Sequence, residues 1–325
     1  MSDILFAINA TAPIVLMVLV GYFLKRIGML DATLGKAINK LVFRVFLPAM
    51  LFLNMYKIES FAHIDFTFVW YTLAATLVLF CVAVPTVSFM TKENPKRGAL
   101  LQSVFRANYA LVGIPLATSL FGEKGSIMAT VLSAFIVPLF NALAVFGLCL
   151  FSSDKKPSVK KILIGIAKNP LIESIALGFV ALGIRAIFVK VGIDFRLTDV
   201  HPVYKTLSNL SSVATPLALL VLGAQFELSA IPELKKYITF GVAVRNFIVP
   251  VLGIGVAYLI GCFEGAHFAT FVAVFCTPVA VSSVPMAQEM DADVSLAGQL
   301  VIWSTVFSAI SIFLASYVLK ALGVF

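Results

Sequence analysis

Long apolar runs recur along almost the whole of this 325-residue sequence, and they constrain its fold more than any other feature. A helix needs about 20 apolar residues to cross a bilayer core of about 30 Å, which is close to the length of these runs. Charges and turn residues separate ten runs, at residues 4–24, 37–56, 66–90, 98–121, 126–151, 167–189, 203–225, 237–261, 266–288 and 294–319. We therefore predict an all-α integral membrane protein with ten transmembrane helices.

The composition excludes several other classes of protein. Hydrophobic residues make up 61% of the chain and charged residues 12%, whereas a soluble domain has about 45–50% and about 25%. The net charge of +8 does not indicate nucleic-acid binding, because the basic residues lie between apolar runs and match no nucleic-acid module. The sequence has no hydrolase, nucleotide-binding or metal-binding motif. We expect a lipid bilayer as partner, no enzymatic activity, and no cofactor or metal.

The loops between the apolar runs differ in charge, and this difference predicts the orientation of the chain. Most of the lysines and arginines fall in the odd-numbered loops. Because basic loops stay on the cytoplasmic side, we predict a multi-pass protein of the cell (inner) membrane with both termini extracytoplasmic. The longest basic loop is predicted to be a cytoplasmic linker over residues 152–166.

This linker divides the chain into two halves of five runs each, residues 1–151 and 167–325. An odd number of spans in each half means that the second half inserts in the opposite direction. Three pairs of residues recur at matching spacing in the two halves: Pro13 and Gly21 with Pro170 and Gly178, Pro48 and Glu59 with Pro216 and Glu227, and Asn108 and Pro115 with Pro278 and Pro285. We predict two inverted five-helix repeats, a plan typical of secondary transporters.

Prolines interrupt the fourth and ninth runs. Gly113 and Pro115 lie within the fourth run, and Pro278 and Pro285 bracket small and hydroxylated residues in the ninth. Proline lacks the N–H that a continuous helix uses, so we expect both helices to unwind at these prolines. One such proline would indicate only a structural kink. A matched pair favours a binding site, because broken helices at membrane depth need partners for their freed backbone groups.

The residues around the first break resemble a known family. The segment Asn108–Leu116, with Phe121–Glu123 after it, resembles the fourth-helix signature of the auxin efflux carrier family. That family includes plant PIN-FORMED carriers and bacterial organic-acid carriers, and it belongs to the bile/arsenite/riboflavin transporter superfamily. The segment from Pro278 to the C-terminus is similar to its last two helices. The resemblance implies that broken helices 4 and 9 cross, that substrate binds beside the crossing, and that one helical domain moves like an elevator against a homodimeric scaffold.

The resemblance and the break positions together give the predicted substrate site. The predicted substrate-binding residues are Asn108, Tyr109, Gly113, Pro115, Pro278, Ser282, Ser283 and Pro285. A helix that restarts inside the membrane presents unpaired N–H groups and about half a positive charge, which suits a carboxylate. We therefore predict secondary transport of a small organic anion, a mono- or dicarboxylate that is malate-like, malonate-like or auxin-like.

Three alternatives are open at this point. A sodium-coupled symporter of the bile-acid type would need a cluster of oxygen ligands, and neither broken run has an acidic residue near its break. A channel or a membrane receptor would share the apolar runs. Proton or sodium coupling is undecided. Arg106 and Arg245 could each hold a carboxylate or a structural partner, and Glu173 could take up a proton during transport or pair with a lysine near the interface.

Overall fold

The computed structural model describes residues 13, 16–57, 66–152, 164, 167–226 and 230–325. These residues form helices and the turns between them, with no β-strand among them. Seven of the described helices are long and apolar enough to cross a membrane. The protein is therefore an all-helical, multi-pass membrane protein, as predicted.

Eleven helices follow one another along the described chain, with a short 3₁₀ turn at Leu197–Asp199 between the sixth and the seventh. They are α1 (residues 16–26), α2 (Ala32–Tyr56), α3 (Phe66–Met90), α4 (Asn94–Phe105), α5 (Tyr109–Leu150), α6 (Pro170–Lys190), α7 (His201–Gln225), α8 (Ile231–Ile260), α9 (Gly265–Phe275), α10 (Ser283–Glu289) and α11 (Val294–Ala321). Polar caps fix several helix starts: Asp31 accepts from the Leu34 N–H at 2.7 Å, and Asp293 accepts from the Leu296 N–H at 2.8 Å.

Helix α5 is too long to be one straight span. Its 42 residues would extend about 60 Å, twice the apolar thickness of a bilayer. The backbone leaves helical geometry at Phe121 and Gly122, and Gly122 takes a φ of 58°, which glycine adopts without strain. This corner separates the two apolar runs predicted at 98–121 and 126–151.

Three helices widen into a π turn just before a proline. The π turns Val42–Phe46, Tyr109–Gly113 and Val244–Ile248 each end two residues before Pro48, Pro115 and Pro250, respectively. Proline lacks an N–H and its ring crowds the carbonyl four residues earlier, so a wider turn relieves the contact without breaking the helix.

The helices pack into two groups. In the first, α2 packs against α6 and α7, and α1 lies on α7. A Cβ on Gly21 of α1 would lie 2.0 Å from the Leu220 carbonyl oxygen of α7, and a Cβ on Gly178 of α6 would lie 2.7 Å from the Met55 Cβ of α2. In the second group, α5 packs against α9, α4 against α3 and α11, and both α8 and α10 against α11. Small residues therefore set the closest helix contacts in the first group.

Several predicted features fall outside the described residues. Residues 153–163 of the predicted linker, Glu59 and Glu227 of the predicted repeat, and nearly all of the first run before residue 16 are among them. The division into halves 1–151 and 167–325 is therefore still a prediction.

Candidate functional site

Two interruptions of helical structure lie directly against each other. The first, Arg106 to Asn108, separates α4 from α5, and the second, residues 276–282, separates α9 from α10. The Asn108 N–H donates to the Pro278 carbonyl at 2.8 Å, and the Ala280 N–H donates to the Arg106 carbonyl at 3.2 Å. This antiparallel pairing supplies partners for backbone groups that the broken helices leave free.

The breaks coincide with only one of the three prolines that predicted them. Pro115 lies in the first turn of the regular helix after the π turn, and Pro285 lies inside α10, so the expected unwinding at these two prolines is wrong. A proline near a helix start costs little, since its missing N–H would have no partner there. Of the three break prolines, only Pro278 lies in an unwound stretch, at the point where its carbonyl accepts from Asn108.

A narrow cavity of about 60 Å³ lies beside the paired breaks. It is large enough to hold water or a small carboxylate. Asn108, Tyr109 and Ser282 line it among the predicted site residues. Helices α2, α6 and α7 close the opposite side with mostly apolar side chains. The predicted residues that lie outside these walls are Gly113, Pro115, Pro278, Ser283 and Pro285.

Asn108 offers an unused hydrogen-bond donor at this cavity. Its side chain is 5% exposed, and its amide nitrogen Nδ2 is buried with no acceptor in the described part of the chain. A buried amide without a partner costs about 1–3 kcal/mol. A ligand oxygen in the cavity would supply the missing acceptor.

Arg106 lies beside Asn108 and is 2% exposed. Its Nη2 donates to the Asn141 Oδ1 and to the Ser282 Oγ, both at 2.9 Å, and its Nη1 donates to the Gln102 Oε1 at 2.7 Å. Nη1 also lies 2.8 Å from the Met286 sulfur. All four partners are neutral, and Arg106 forms no ion pair with any described residue.

Two of the predicted site residues support the packing around the breaks. The Tyr109 hydroxyl donates to the Ala129 carbonyl at 2.8 Å, so it is already bonded within α5. A Cβ at Gly113 would lie 2.9 Å from the Ala273 carbonyl oxygen, so glycine allows α5 to approach α9 closely. The Ser283 hydroxyl is buried and has no partner in the described structure, but Ser283 lies outside the cavity walls.

A second set of residues holds the break between α9 and α10. The Val279 N–H donates to the Ser304 Oγ at 3.0 Å, and Asn246 donates to the Ser304 carbonyl at 3.0 Å. Sequence reasoning did not single out Ser304, because a serine within an apolar run carries no signal of which backbone group it meets. Asn246 thereby joins α8 to α11, and Asn141 of α5 accepts from Arg106 in the break between α4 and α5.

The described residues therefore form an all-helical membrane protein in which two interrupted helices meet beside a small cavity with a few polar side chains in mostly apolar walls. Such an arrangement is typical of membrane transporters. A family model described as "Membrane transport protein" matches residues 6–316. The chain belongs to this family, which is the auxin efflux carrier family that its sequence resembles.

Two relatives match over nearly their whole length. An uncharacterized transporter of Methanothermobacter thermautotrophicus is 24% identical over 311 residues, covering 94% of this chain and 96% of the relative. An uncharacterized transporter of Methanocaldococcus jannaschii is 26% identical over 318 residues, with the same two coverages. Both relatives are described only as transporters, so they support the class of protein and no substrate.

Proposed function

We propose that this protein is a secondary active transporter that binds a small organic anion at the paired helix breaks. The observation that carries the proposal is the unpartnered Asn108 amide in a cavity whose described walls contain a buried arginine and no carboxylate. Such a wall offers hydrogen-bond donors and positive charge. Carboxylates are the common biological anions of a size that fits it.

The helix starts around the cavity differ in what they contribute to this site. The first-turn N–H groups of α5 have no intrahelical acceptor by their position, and α5 is long enough to have a substantial dipole. Helix α10 has only seven residues, and several of its first N–H groups bond within the turn that precedes it. The proposed anion site therefore relies on α5, Asn108 and Ser282, with Ser283 and the prolines as structural support.

The proposed architecture has ten spans in two inverted repeats, 1–151 and 167–325, joined by a cytoplasmic linker at 152–166. The corner in α5 allows that helix to contribute to two spans, and α9 with α10 would form one broken span. Reciprocal glycine contacts support the repeat, since Gly21 of α1 meets α7 and Gly178 of α6 meets α2.

An elevator motion would carry the second helix group past the first, with α1, α2, α6 and α7 as the scaffold of a homodimer. A polar cluster lies between the two groups and supports this division. Asn39 donates to the Gln288 Oε1 at 2.8 Å, Gln225 donates to the same oxygen at 3.2 Å, and Arg44 pairs with Glu289 at 3.4 Å. Such contacts exchange with water more readily than packed apolar ones.

The cavity size argues for a small mono- or dicarboxylate and against a bulky steroid acid. The sodium-coupled alternative has less support, because no acidic side chain lines the cavity among the described residues. We assign no coupling ion. Counterflow of a labelled carboxylate into proteoliposomes tests transport itself, since a channel or a receptor would not show saturable exchange.

Replacing Asn108 by alanine tests the site. We expect affinity for the transported carboxylate to fall roughly 10- to 100-fold, because each charge-assisted hydrogen bond is worth about 1.5–3 kcal/mol. Binding titration and thermal unfolding of the same purified variant are the measurements. Asn39→Ala is the matched control, since Asn39 is equally buried but donates to Gln288 away from this cavity. Unchanged affinity with a lowered melting temperature in Asn108→Ala would remove Asn108 from the site.

A further inference from the structure

The core of the protein holds two fully buried arginines with opposite surroundings, and this contrast assigns a role to one of them. Arg245, which is 1% exposed, donates to the carbonyls of Thr277 at 2.9 Å and Val274 at 2.7 Å, with a longer bond of 3.4 Å to Val104. These carbonyls lie at or just beyond the C-terminal ends of α9 and α4. Each helix end carries about half a negative charge, so the two ends together offset the charge of Arg245.

The Arg106 guanidinium, by contrast, donates to no backbone carbonyl among the described residues. Its four acceptors are the neutral side chains of Gln102, Asn141, Ser282 and Met286, and the thioether is a weak acceptor. A guanidinium stays charged at physiological pH, and an uncompensated cation at membrane depth costs several kcal/mol. The empty site therefore carries one buried positive charge whose counter-charge is missing.

The groups next to Arg106 are arranged to donate toward an anion. The Ser282 oxygen accepts from Arg106, which leaves the Ser282 hydroxyl proton free to donate to a ligand. The Asn108 Nδ2 has no acceptor, and both side chains line the cavity with Arg106. The fifth guanidinium donor, Nε of Arg106, has no hydrogen bond to a described residue. A carboxylate in the cavity would satisfy these donors together.

We propose that Arg106 is the fixed counter-charge of the transported anion, and that the site accepts one net negative charge. The ligand is then a monocarboxylate, or a dicarboxylate only in its singly protonated form, because no second cation lines the cavity among the residues that the structure describes. This inference rests on the proposed function and narrows its substrate class. It also makes Arg106 a residue that selects ligands by charge, whereas Arg245 supports the helix ends.

The net charge of the site differs between its empty and its occupied state, and this difference affects transport. The occupied site is neutral, while the empty site carries a buried positive charge across the membrane. Moving the empty site is therefore costlier than moving the occupied one. We expect exchange of a labelled monocarboxylate against the unlabelled compound to be faster than net uptake into empty proteoliposomes.

The binding experiment uses purified full-length protein in detergent. The probes are straight-chain monocarboxylates from acetate to hexanoate, phenylacetate, the corresponding amides, malonate and succinate. Ligand-dependent rise in melting temperature reports binding, because a ligand of the native state stabilises it. We expect at least one monocarboxylate to stabilise the wild-type protein and its amide to have no effect. Arg106→Gln should weaken binding of that monocarboxylate roughly 10- to 100-fold, and Arg106→Lys should weaken it less.

A pH series on the wild-type protein tests the single negative charge without any substitution. A dicarboxylate should bind roughly 10-fold or more tightly at pH 5 than at pH 7.5, since its singly protonated form is abundant only at the lower pH. Binding of the monocarboxylate should change by no more than about 2-fold over the same range. This measurement tests whether the site accepts one net negative charge even if Arg106→Gln does not fold.

Different results would contradict the role of Arg106 and the proposed organic-anion transport. Equal binding by wild-type protein and a folded Arg106→Gln, equal binding of acid and amide, or pH-independent binding of a dicarboxylate would overturn the role of Arg106 and leave an organic-anion carrier in place. If no carboxylate of the series stabilises the wild-type protein, the proposed function fails and the inference fails with it.

Discussion

The guanidinium of Arg245 binds carbonyl groups at the C-terminal ends of α4 and α9, the two helices that precede the breaks. Arg245 donates to backbone oxygens of α9, of the break that follows it, and of α4, and the polar groups it meets have no access to water. Sequence analysis could not separate this arginine from Arg106, because both lie in apolar runs without a nearby acid. The difference depends on which backbone groups each side chain reaches, which only the folded chain determines.

Arg245→Met should destabilise the protein strongly. Methionine keeps much of the volume but has no donor, so up to three buried carbonyls lose their partner at a cost of about 1–3 kcal/mol each. Thermal unfolding in detergent should show a large drop in melting temperature. Arg44→Met is the control, since the Arg44 side chain is 61% exposed and its ion pair with Glu289 is worth at most about 1 kcal/mol. Similar losses in the two variants would contradict the role given to Arg245.

At the scale of single elements, hydropathy predicted the helices well and the prolines predicted the breaks poorly. Seven of the described helices have the length and apolar character that the runs predicted, because the bilayer demands both length and internal hydrogen bonding. The position of a break depends on where the freed backbone finds new partners. The Asn108 N–H donates to the Pro278 carbonyl, and the two residues lie far apart in the sequence, so local sequence does not encode this hydrogen bond. Pro115 instead follows a π turn, and the helix continues through it.

Two glycines of α6 provide a test of the close contact between α6 and α2. A Cβ at Gly178 would lie 2.9 Å from the Phe52 carbonyl oxygen, whereas a Cβ at Gly183 would meet nothing within 4 Å. We expect Gly178→Ala to lower the melting temperature, by an amount that corresponds to about 1–3 kcal/mol of overpacking. Gly183→Ala should be neutral or slightly stabilising, since alanine favours a helix by about 0.5–1 kcal/mol over glycine. Equal effects would show that α6 does not depend on this contact.

For the whole molecule, the class of protein is predictable from the sequence, and the substrate is not. The family match confirms the predicted membrane transport protein. This class is recognisable in a sequence because its defining features, apolar runs and motifs, are spread along the chain. A substrate is recognised by a few side chains whose spacing arises from folding. Asn141 and Gln102 complete the surroundings of Arg106 from positions 35 and 4 residues away along the chain.

The orientation of the chain is testable in intact cells. The basic loops predict that both termini face outward and that residues 152–166 face the cytoplasm. In a cysteine-free background, a cysteine at Ser2 should react with a membrane-impermeant maleimide added outside, and one at Ser158 should react only after the membrane is permeabilised. The reverse labelling pattern would refute this orientation.

The pairing of the two breaks limits how the cavity can open. Parting α5 from α9 would break both backbone hydrogen bonds between the interruptions and strand buried amide groups inside the membrane. An opening at the other edge, along the apolar walls of α2, α6 and α7, would leave those bonds intact. A ligand would then keep the same set of bonding partners whichever side of the membrane it faces. A site of this kind has similar affinity in both directions, so the concentration gradient and membrane potential would set the direction of net flow.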